Sequence, residues 1–313
     1  MKNFYTLLLA LLITLNLSAQ SFKVIPLGVK GGLDESNLSS YMLAPQNSDN
    51  YICLDAGTIY YGLTKAVKNG LFNKSAEEVL NENIKAYLIS HAHLDHVSGL
   101  LMNAPADSKK TIYSSPFVIE AFKDKYFSWV NWANFADEGE KPQLGTYSYH
   151  RLEPLKEIKI KNTDLYVTPF NLSHGNPYQS LAFLVRYKQN FILYLGDTGA
   201  DKIEKSDKLN QLWMAIAPFI KTKLLKAIFI EVSFPNKQPD TKLFGHLTPK
   251  WFYKEMESLG SYTGKSALNN FKVVITHRKP HANNEAIIKE ELQKDNSLKL
   301  KLIFPQQAQR LSF

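Results

Sequence analysis

The sequence predicts an α/β fold in which two mixed β-sheets lie between layers of helices. Short apolar runs with the composition of buried strands alternate with segments of helical period, and this alternation occurs twice along the chain. The sequence contains no short-period repeat, low-complexity tract or Pro/Ser-rich linker. A chain of 313 residues is long enough to bury a large core. We therefore predict an αββα arrangement.

The first half of the chain contributes the first set of elements. Apolar and β-branched runs predict strands over 22–27, 40–43, 51–55, 84–89 and 111–113. Apolar residues at helical spacing predict helices over 59–67, 75–80, 97–102 and 115–126. Ser75 is the candidate N-cap of the second of these helices. The stretch 136–150 is interpreted as a loop.

The second half of the chain repeats the alternation. Strands are predicted over 158–160, 165–170, 180–185, 191–195, 225–230, 273–276 and 298–304. A helix is predicted over 283–293. The aromatic segment 126–135 is interpreted as core or lid packing, with a wall for stacking a nucleobase as the alternative.

Residues 1–19 have the order of a cleavable secretory signal peptide. Lys2 precedes an apolar run from Leu7 to Leu17, and the small residues Ser18 and Ala19 follow. The run is short for a membrane span, so we expect no stable membrane anchor, with an uncleaved anchor as the alternative. Because no cysteine lies near the cleavage point, a lipoprotein-type anchor is excluded. We expect cleavage after Ala19 and a periplasmic or secreted mature protein.

Composition limits the classes of function. The formal net charge of +8 comes from scattered lysines, which indicates a solvated basic surface rather than a dedicated binding block. A positive field would still help to collect an anionic substrate. The single cysteine, Cys53, lies in a predicted strand and cannot form an internal disulfide, so we interpret it as a core residue.

A run of ligand-type side chains follows the strand predicted over 84–89. His91 and His93 point to the same side of extended backbone, because side chains alternate with a period of two. Asp95 and His96 fall where the chain enters the next helix, so they can face a second point nearby. Imidazole and carboxylate are the usual ligands of zinc and related metals. Four such groups at this spacing predict a metal site and suit two adjacent ions better than one.

Three further ligand-type residues lie at the ends of predicted strands: His174, Asp197 and His277. A carboxylate directly after a strand as apolar as that before Asp197 is costly to bury unless it is paired or bound to a metal. An acidic residue, Glu231, ends another strand, and His246 follows in a Gly-His-Leu-Thr loop before a helix.

These motifs resemble those of a known family. The His-x-His-x-Asp-His pattern at 91–96 resembles the signature of the metallo-β-lactamase superfamily. The longer segment 91–105 resembles the class II cyclic-nucleotide phosphodiesterases, as does the pairing of Glu231 with His246. The segment departs from that pattern at Ala104, where the family carries Ser, and this leaves the ligand positions intact. The resemblance implies a metallo-β-lactamase-type sandwich and a single catalytic domain over 20–313.

The resemblance also implies the ligands of two divalent metal ions. They comprise one set of His91, His93 and His174, a second set of Asp95, His96 and His277, and Asp197 as the bridge between the ions. Zinc is the expected metal, with manganese or iron as alternatives.

Catalytic roles are implied in the same way. His246 is the candidate proton donor to the leaving oxygen, Glu231 is expected to orient it, and Asp95 is a candidate holder of the nucleophile. Two such ions make a shared water nucleophilic near neutral pH. The implied reaction is hydrolysis of 3′,5′-cyclic nucleotides (cAMP, cGMP or both) to nucleoside 5′-phosphates.

Two alternatives stay open at this point. One is another exported hydrolase of the superfamily that acts on a phosphodiester, a sulfate ester or a lactone. The other is a secreted metal-binding protein without turnover. The predicted signal peptide and the lack of a basic, Gly/Pro-rich RNA-binding arm argue against a nucleic-acid partner. The oligomeric state is left open, with a homodimer among the states that the sequence allows.

Overall fold

Two β-sheets of seven strands each form the centre of the computed structural model, which describes residues 20–313. The signal peptide predicted over 1–19 lies outside the described residues. In the order in which they neighbour one another, the strands of the first sheet are β14 (Leu311–Ser312), β1 (Phe22–Gly28), β2 (Ser40–Pro45), β3 (Tyr51–Leu54), β4 (Ile84–Leu88), β5 (Lys110–Ser114) and β6 (Tyr147–Arg151). Those of the second are β13 (Lys301–Ile303), β12 (Lys272–Thr276), β11 (Leu225–Glu231), β10 (Asn190–Leu195), β9 (Gln179–Tyr187), β8 (Tyr166–Ser173) and β7 (Ile158–Lys159).

Both sheets are mixed, as predicted. In the first sheet β3, β4, β5 and β6 run parallel, whereas β14, β1, β2 and β3 pair antiparallel. In the second sheet β10 to β13 run parallel and β7 to β10 pair antiparallel. The carboxyl ends of neighbouring parallel strands lie at one edge of a sheet, so the residues that follow them are brought together.

Helices cover the outer faces of both sheets. They are α1 (Tyr60–Lys68), α2 (Ala76–Glu78), α3 (Leu94–Asn103), α4 (Pro116–Ala121), α5 (Asp201–Glu204), α6 (Lys208–Lys221), α7 (Pro249–Thr263) and α8 (Asn284–Lys294). π-Helical turns over Val79–Asn83 and Phe122–Tyr126 extend α2 and α4. None of the helices within residues 20–313 combines the length and the apolar composition that a membrane span requires.

The apolar core is divided by the sheets into three layers. The layer between the sheets contains Tyr41 and Leu54 from the first sheet and Phe183 and Phe229 from the second. A second layer packs α1, α3 and α4 against the first sheet, and a third packs α6, α7 and α8 against the second sheet. The αββα prediction is therefore confirmed, whereas the assignment of 20–313 to a single domain stays a prediction.

Most predicted elements are present, and the exceptions have physical causes. Ser75 caps α2 in a capping box with Glu78. The predicted loop 136–150 is wrong at its end, because β6 begins at Tyr147; this edge strand is half exposed and lacks a clear apolar alternation. Helix α3 begins at Leu94, three residues before the apolar pattern shows it, because its first turn carries polar site residues.

Candidate metal centre

The first cluster of the site consists of the three histidines His91, His93 and His174. His91 and His93 follow β4, and His174 follows β8. One ring nitrogen from each lies within 4.8 Å of the others. Burial lowers the pKa of all three imidazoles, to about 4 for His93. They are therefore neutral at physiological pH and offer lone pairs to a metal ion.

The second cluster consists of Asp95, His96, Asp197 and His277. Nε2 of His277 lies 3.0 Å from Oδ2 of Asp95 and 3.1 Å from Oδ2 of Asp197. Nε2 of His96 lies 3.3 Å from Oδ2 of Asp197. One ligand atom from each of the four residues lies within 4.8 Å of the others.

Asp197 lies between the two clusters. Its Oδ2 is 3.8 Å from Nε2 of His91 and 3.9 Å from Nε2 of His174, in addition to its contacts with the second cluster. One carboxylate oxygen thus approaches nitrogens of both clusters within 4 Å. This is the position that a bridging ligand requires.

The electrostatics of the centre fit bound cations. Burial opposes ionisation of Asp95 and Asp197, but the surrounding histidines hold the pKa of both carboxyls well below the usual range. Burial also opposes protonation of His96, yet the carboxylates of Asp197 and Asp55 raise its pKa well above the usual value. The site therefore attracts positive charge. Nε2 of His91 and Nε2 of His96 are buried without a hydrogen-bond partner in the described structure, which is costly unless an ion binds them.

His246 and Glu231 form a buried pair beside the second cluster. Nδ1 of His246 lies 2.8 Å from Oε1 of Glu231 and 3.7 Å from Oδ2 of Asp197. Burial, with a smaller contribution from Asp197, raises the pKa of Glu231 to about 7. Burial lowers the pKa of His246 to about 4. The pair can therefore hold a proton near neutral pH.

Sequence reasoning missed Ser233, which lies at the junction of these groups. Its hydroxyl donates to Oε2 of Glu231, and its Oγ is 2.9 Å from Nδ1 of His277 and 3.3 Å from Nδ1 of His246. The available signal was its position two residues after Glu231, because a period of two places both side chains on the same side of extended backbone.

Asp55 contacts Nδ1 of His96, the ring nitrogen opposite the one that approaches Asp197. Its Oδ2 is 2.8 Å from Nδ1 of His96 and accepts the hydroxyl proton of Tyr194, while its Oδ1 accepts the N–H of Ser90. Asp55 has a φ of 56° and His277 a φ of 51°, both in the left-handed region that costs energy for residues other than glycine. Such strain is typical of sites where surrounding contacts hold a side chain in place.

The loop that contains Gly31 and Gly32 contacts the second cluster. The N–H of Gly32 donates to Oδ2 of Asp95 over 3.1 Å. A Cβ on Gly31 would lie 2.2 Å from Cε1 of His277, so no larger residue fits there without displacing the ring. This loop is therefore part of the site.

Two tyrosines hold the segment between His91 and His93. The hydroxyl of Tyr178 accepts the N–H of Ala92 over 3.2 Å, and the hydroxyl of Tyr126 donates to the carbonyl of Ala92. The ring of Tyr178 also stacks on His93, with ring centres 4.4 Å apart. Tyr126 is the part of the predicted aromatic segment that contacts the site, whereas sequence reasoning missed Tyr178.

Comparison with known proteins places the chain in a family. The family model of class-II cAMP phosphodiesterases matches residues 19–307. The chain is similar to a 3′,5′-cyclic-nucleotide phosphodiesterase of Aliivibrio fischeri, with 38% identity over 100% of this chain and 99% of the relative. It is also similar to a probable 3′,5′-cyclic-nucleotide phosphodiesterase of Yersinia pestis, with 37% identity over 95% of this chain and 91% of the relative.

Solved structures show the same fold. The structure of unliganded yeast PDE1 is similar with a TM-score of 0.82 and 22% identity, and the match covers 94% of this chain and 100% of that one. A metallo-β-lactamase fold protein, YhfI of Bacillus subtilis, is similar with a TM-score of 0.61 and 17% identity over 93% and 99% of the two chains. This fold and the His/Asp clusters together indicate a site for divalent metal. The chain belongs to the class-II cAMP phosphodiesterase family.

Proposed function

We propose that this chain is a metal-dependent hydrolase that converts 3′,5′-cyclic nucleotides, cAMP and cGMP, to nucleoside 5′-phosphates. The observation that carries the proposal is the approach of one oxygen of Asp197 to nitrogens of both clusters, beside a buried His246–Glu231 pair. The similarity to relatives named 3′,5′-cyclic-nucleotide phosphodiesterases supports the same reaction.

The seven ligand-type side chains would hold two divalent ions, for which zinc is our first choice and manganese or iron the alternatives. The proposed ligands are His91, His93 and His174 for one ion, Asp95, His96 and His277 for the other, and Asp197 for both. When bound, such ions would make an attacking water more acidic and offset negative charge on the phosphodiester. The neutral imidazoles of the first cluster and the ionised carboxylates of the second suit this role.

The leaving 3′ oxygen needs a proton when the ring opens. We assign this proton to Nε2 of His246, which makes no hydrogen bond within residues 20–313. As Nε2 gives up its proton, Nδ1 can take one from Oε1 of Glu231, which lies 2.8 Å away and has a pKa raised to about 7 by burial. One proton thus reaches the leaving oxygen, and Glu231 becomes a carboxylate.

Asp95 is our candidate for orienting the attacking water. Its side chain is 20% exposed, whereas those of Asp197 and His277 are 4% and 1% exposed. Its Oδ2 is held by Gly32 and His277, whereas its Oδ1 makes no hydrogen bond within residues 20–313 and can accept one from water. Oδ1 of Asp95 is therefore placed to orient the attacking water.

One experiment tests the proposed reaction. Purified protein is incubated with cAMP, cGMP and an acyl-homoserine lactone, with and without chelator, and the products and the bound metals are identified. We expect 5′-AMP and 5′-GMP without chelator, no turnover with it, and restoration by added zinc. Lactone opening in place of phosphodiester hydrolysis, or bound metal without turnover of any substrate, would contradict the proposal and favour one of the two alternatives.

We also propose that the chain is exported and works in the periplasm or outside the cell. The support is the pattern within 1–19: Lys2, the apolar run to Leu17, and the small residues Ser18 and Ala19. Cell fractionation and N-terminal sequencing of the purified protein test it. A protein recovered from the cytoplasm with Met1 intact would contradict export.

A further inference from the structure

An exposed phenylalanine lies beside the metal centre. Phe117 is 43% exposed and stands in the first turn of α4, directly after β5. β5 runs parallel to β4, whose carboxyl end leads to His91 and His93. Phe117 therefore lies at the same edge of the first sheet as the histidines.

Ring contacts connect Phe117 to the first cluster. The ring of Tyr178 stacks on His93 with an interplanar angle of 18° and a centre-to-centre distance of 4.4 Å. Phe117 meets Tyr178 edge to face, at 84° and 5.3 Å. Tyr178 is held in turn by the N–H of Ala92. Two ring-to-ring steps thus lead from a proposed metal ligand to an open aromatic surface.

We propose that Phe117 is the platform on which the purine base of the cyclic nucleotide stacks, with Tyr178 as the support that fixes its position. This inference rests on the proposed function, because the phosphodiester must bind at the metal centre for the base to reach Phe117. In a 3′,5′-cyclic nucleotide the base is one ribose ring away from the phosphorus. Ring centres 4.4 Å apart connect His93 to Tyr178, and ring centres 5.3 Å apart connect Tyr178 to Phe117, so the platform is two ring contacts away from the first cluster.

The chemistry of the platform determines what it recognises. A phenylalanine ring has no hydrogen-bonding atom, so it binds the π-face that every base possesses and does not read the base edge. Adenine and guanine are therefore expected to bind with similar strength at this position. Stacking of a flat base on a partly exposed aromatic side chain removes apolar surface from water, and this lowers the free energy of the complex.

The test compares substrates with and without a base. KM and kcat are measured for cAMP, cGMP and base-free ribose 3′,5′-cyclic phosphate, in the wild type and in the variants Phe117→Ala and Phe117→Leu. We expect KM for cAMP and cGMP to rise about tenfold with kcat preserved, and no change for the base-free substrate. Phe117→Trp is expected to keep the wild-type KM, since tryptophan provides a larger π surface than alanine or leucine.

The control is Met214→Ala, which removes an apolar side chain that is 56% exposed on α6. It should leave KM and kcat unchanged for all three substrates. The outcomes distinguish failure of the stacking platform from failure of the proposed function. If the wild type is active and Phe117→Ala has the wild-type KM for cAMP, the platform is overturned and the proposed function stands. If Phe117→Ala loses kcat on the base-free substrate, the platform is also overturned, because Phe117 would then act by supporting Tyr178. A wild type inactive on every cyclic nucleotide overturns the proposed function and the platform with it.

Discussion

Oδ2 of Asp55 lies 2.8 Å from Nδ1 of His96, and both side chains are buried. The carboxylate fixes the orientation of the imidazole and directs Nε2 toward Asp197. A proposed metal ligand is thus held by the residue that follows β3, 41 positions earlier in the chain. The position of His96 depends on the packing of β3 beside β4.

Replacement of Asp55 by Asn should weaken metal binding. The amide cannot balance a positive imidazole or polarise a neutral one, so we expect affinity at the second cluster to fall by about 10- to 100-fold. Metal titration against a competing chelator measures this effect. Tyr194→Phe is the matched control, because it removes a donor to the same oxygen and keeps the carboxylate. Equal losses in the two variants would contradict a specific role for the Asp55 charge.

His246→Ala should separate turnover from metal binding. If His246 donates the proton to the leaving oxygen, its loss should reduce kcat by about 100- to 10,000-fold while the metal content stays at the wild-type level. His93→Ala and Asp197→Ala should lose metal as well as activity, because both side chains are proposed metal ligands, whereas His246 is not. Elemental analysis and steady-state kinetics on cAMP check both statements. An unchanged rate in His246→Ala would show that the proton comes from elsewhere.

The pH profile should report the state of Glu231. Burial raises the pKa of Glu231 to about 7, so the side chain keeps its proton below that pH and loses it as the pH rises. Because the proton is needed for the leaving oxygen, kcat should decline on the alkaline side of neutrality. Glu231→Gln cannot titrate, so its kcat should be lower and should not decline there. An alkaline decline identical in both proteins would assign the titration to another group.

Gly31→Ala should disturb the second cluster without straining the backbone. Gly31 has a negative φ, and the atoms nearest to an added Cβ belong to the ring of His277, with Cε1 2.2 Å away. Displacement of that ring should reduce kcat/KM by at least tenfold. Gly260→Ala on α7 is the control, because the Cβ there meets its nearest neighbour at an ordinary 3.4 Å. Full activity in Gly31→Ala would show that the loop is free to move away.

Cys53 should be unreactive in the folded protein. The side chain is buried among the residues that α1 and α3 cover, and burial raises the pKa of the thiol to about 12. The neutral thiol is a poor nucleophile, so thiol reagents at mildly alkaline pH should label it only after unfolding. Mass spectrometry of native and guanidinium-treated protein measures the difference. Rapid labelling of the native protein would contradict the burial of this strand.

The site residues that follow strands could be identified from the sequence, because a polar side chain after an apolar strand is a local signal. His174, Asp197 and His277 could be identified in this way, and the His-x-His-x-Asp-His motif added His91, His93, Asp95 and His96. The strand β6 could not be identified, because its residues are half exposed at a sheet edge and the period-two pattern is weak.

Contacts between distant segments could not be predicted from local patterns. Ser233, Tyr178 and Phe117 have ordinary sequence neighbourhoods, and their roles depend on which loops meet at the sheet edge. The sequence alone determined the types of ligand and the strands that carry them, because hydrophobic periodicity and residue chemistry are local properties. Only the tertiary structure decided which ligand-type side chains lie together, which carboxylate orients which imidazole, and where an aromatic surface stays open, because these depend on the packing of two sheets that the chain joins over long separations.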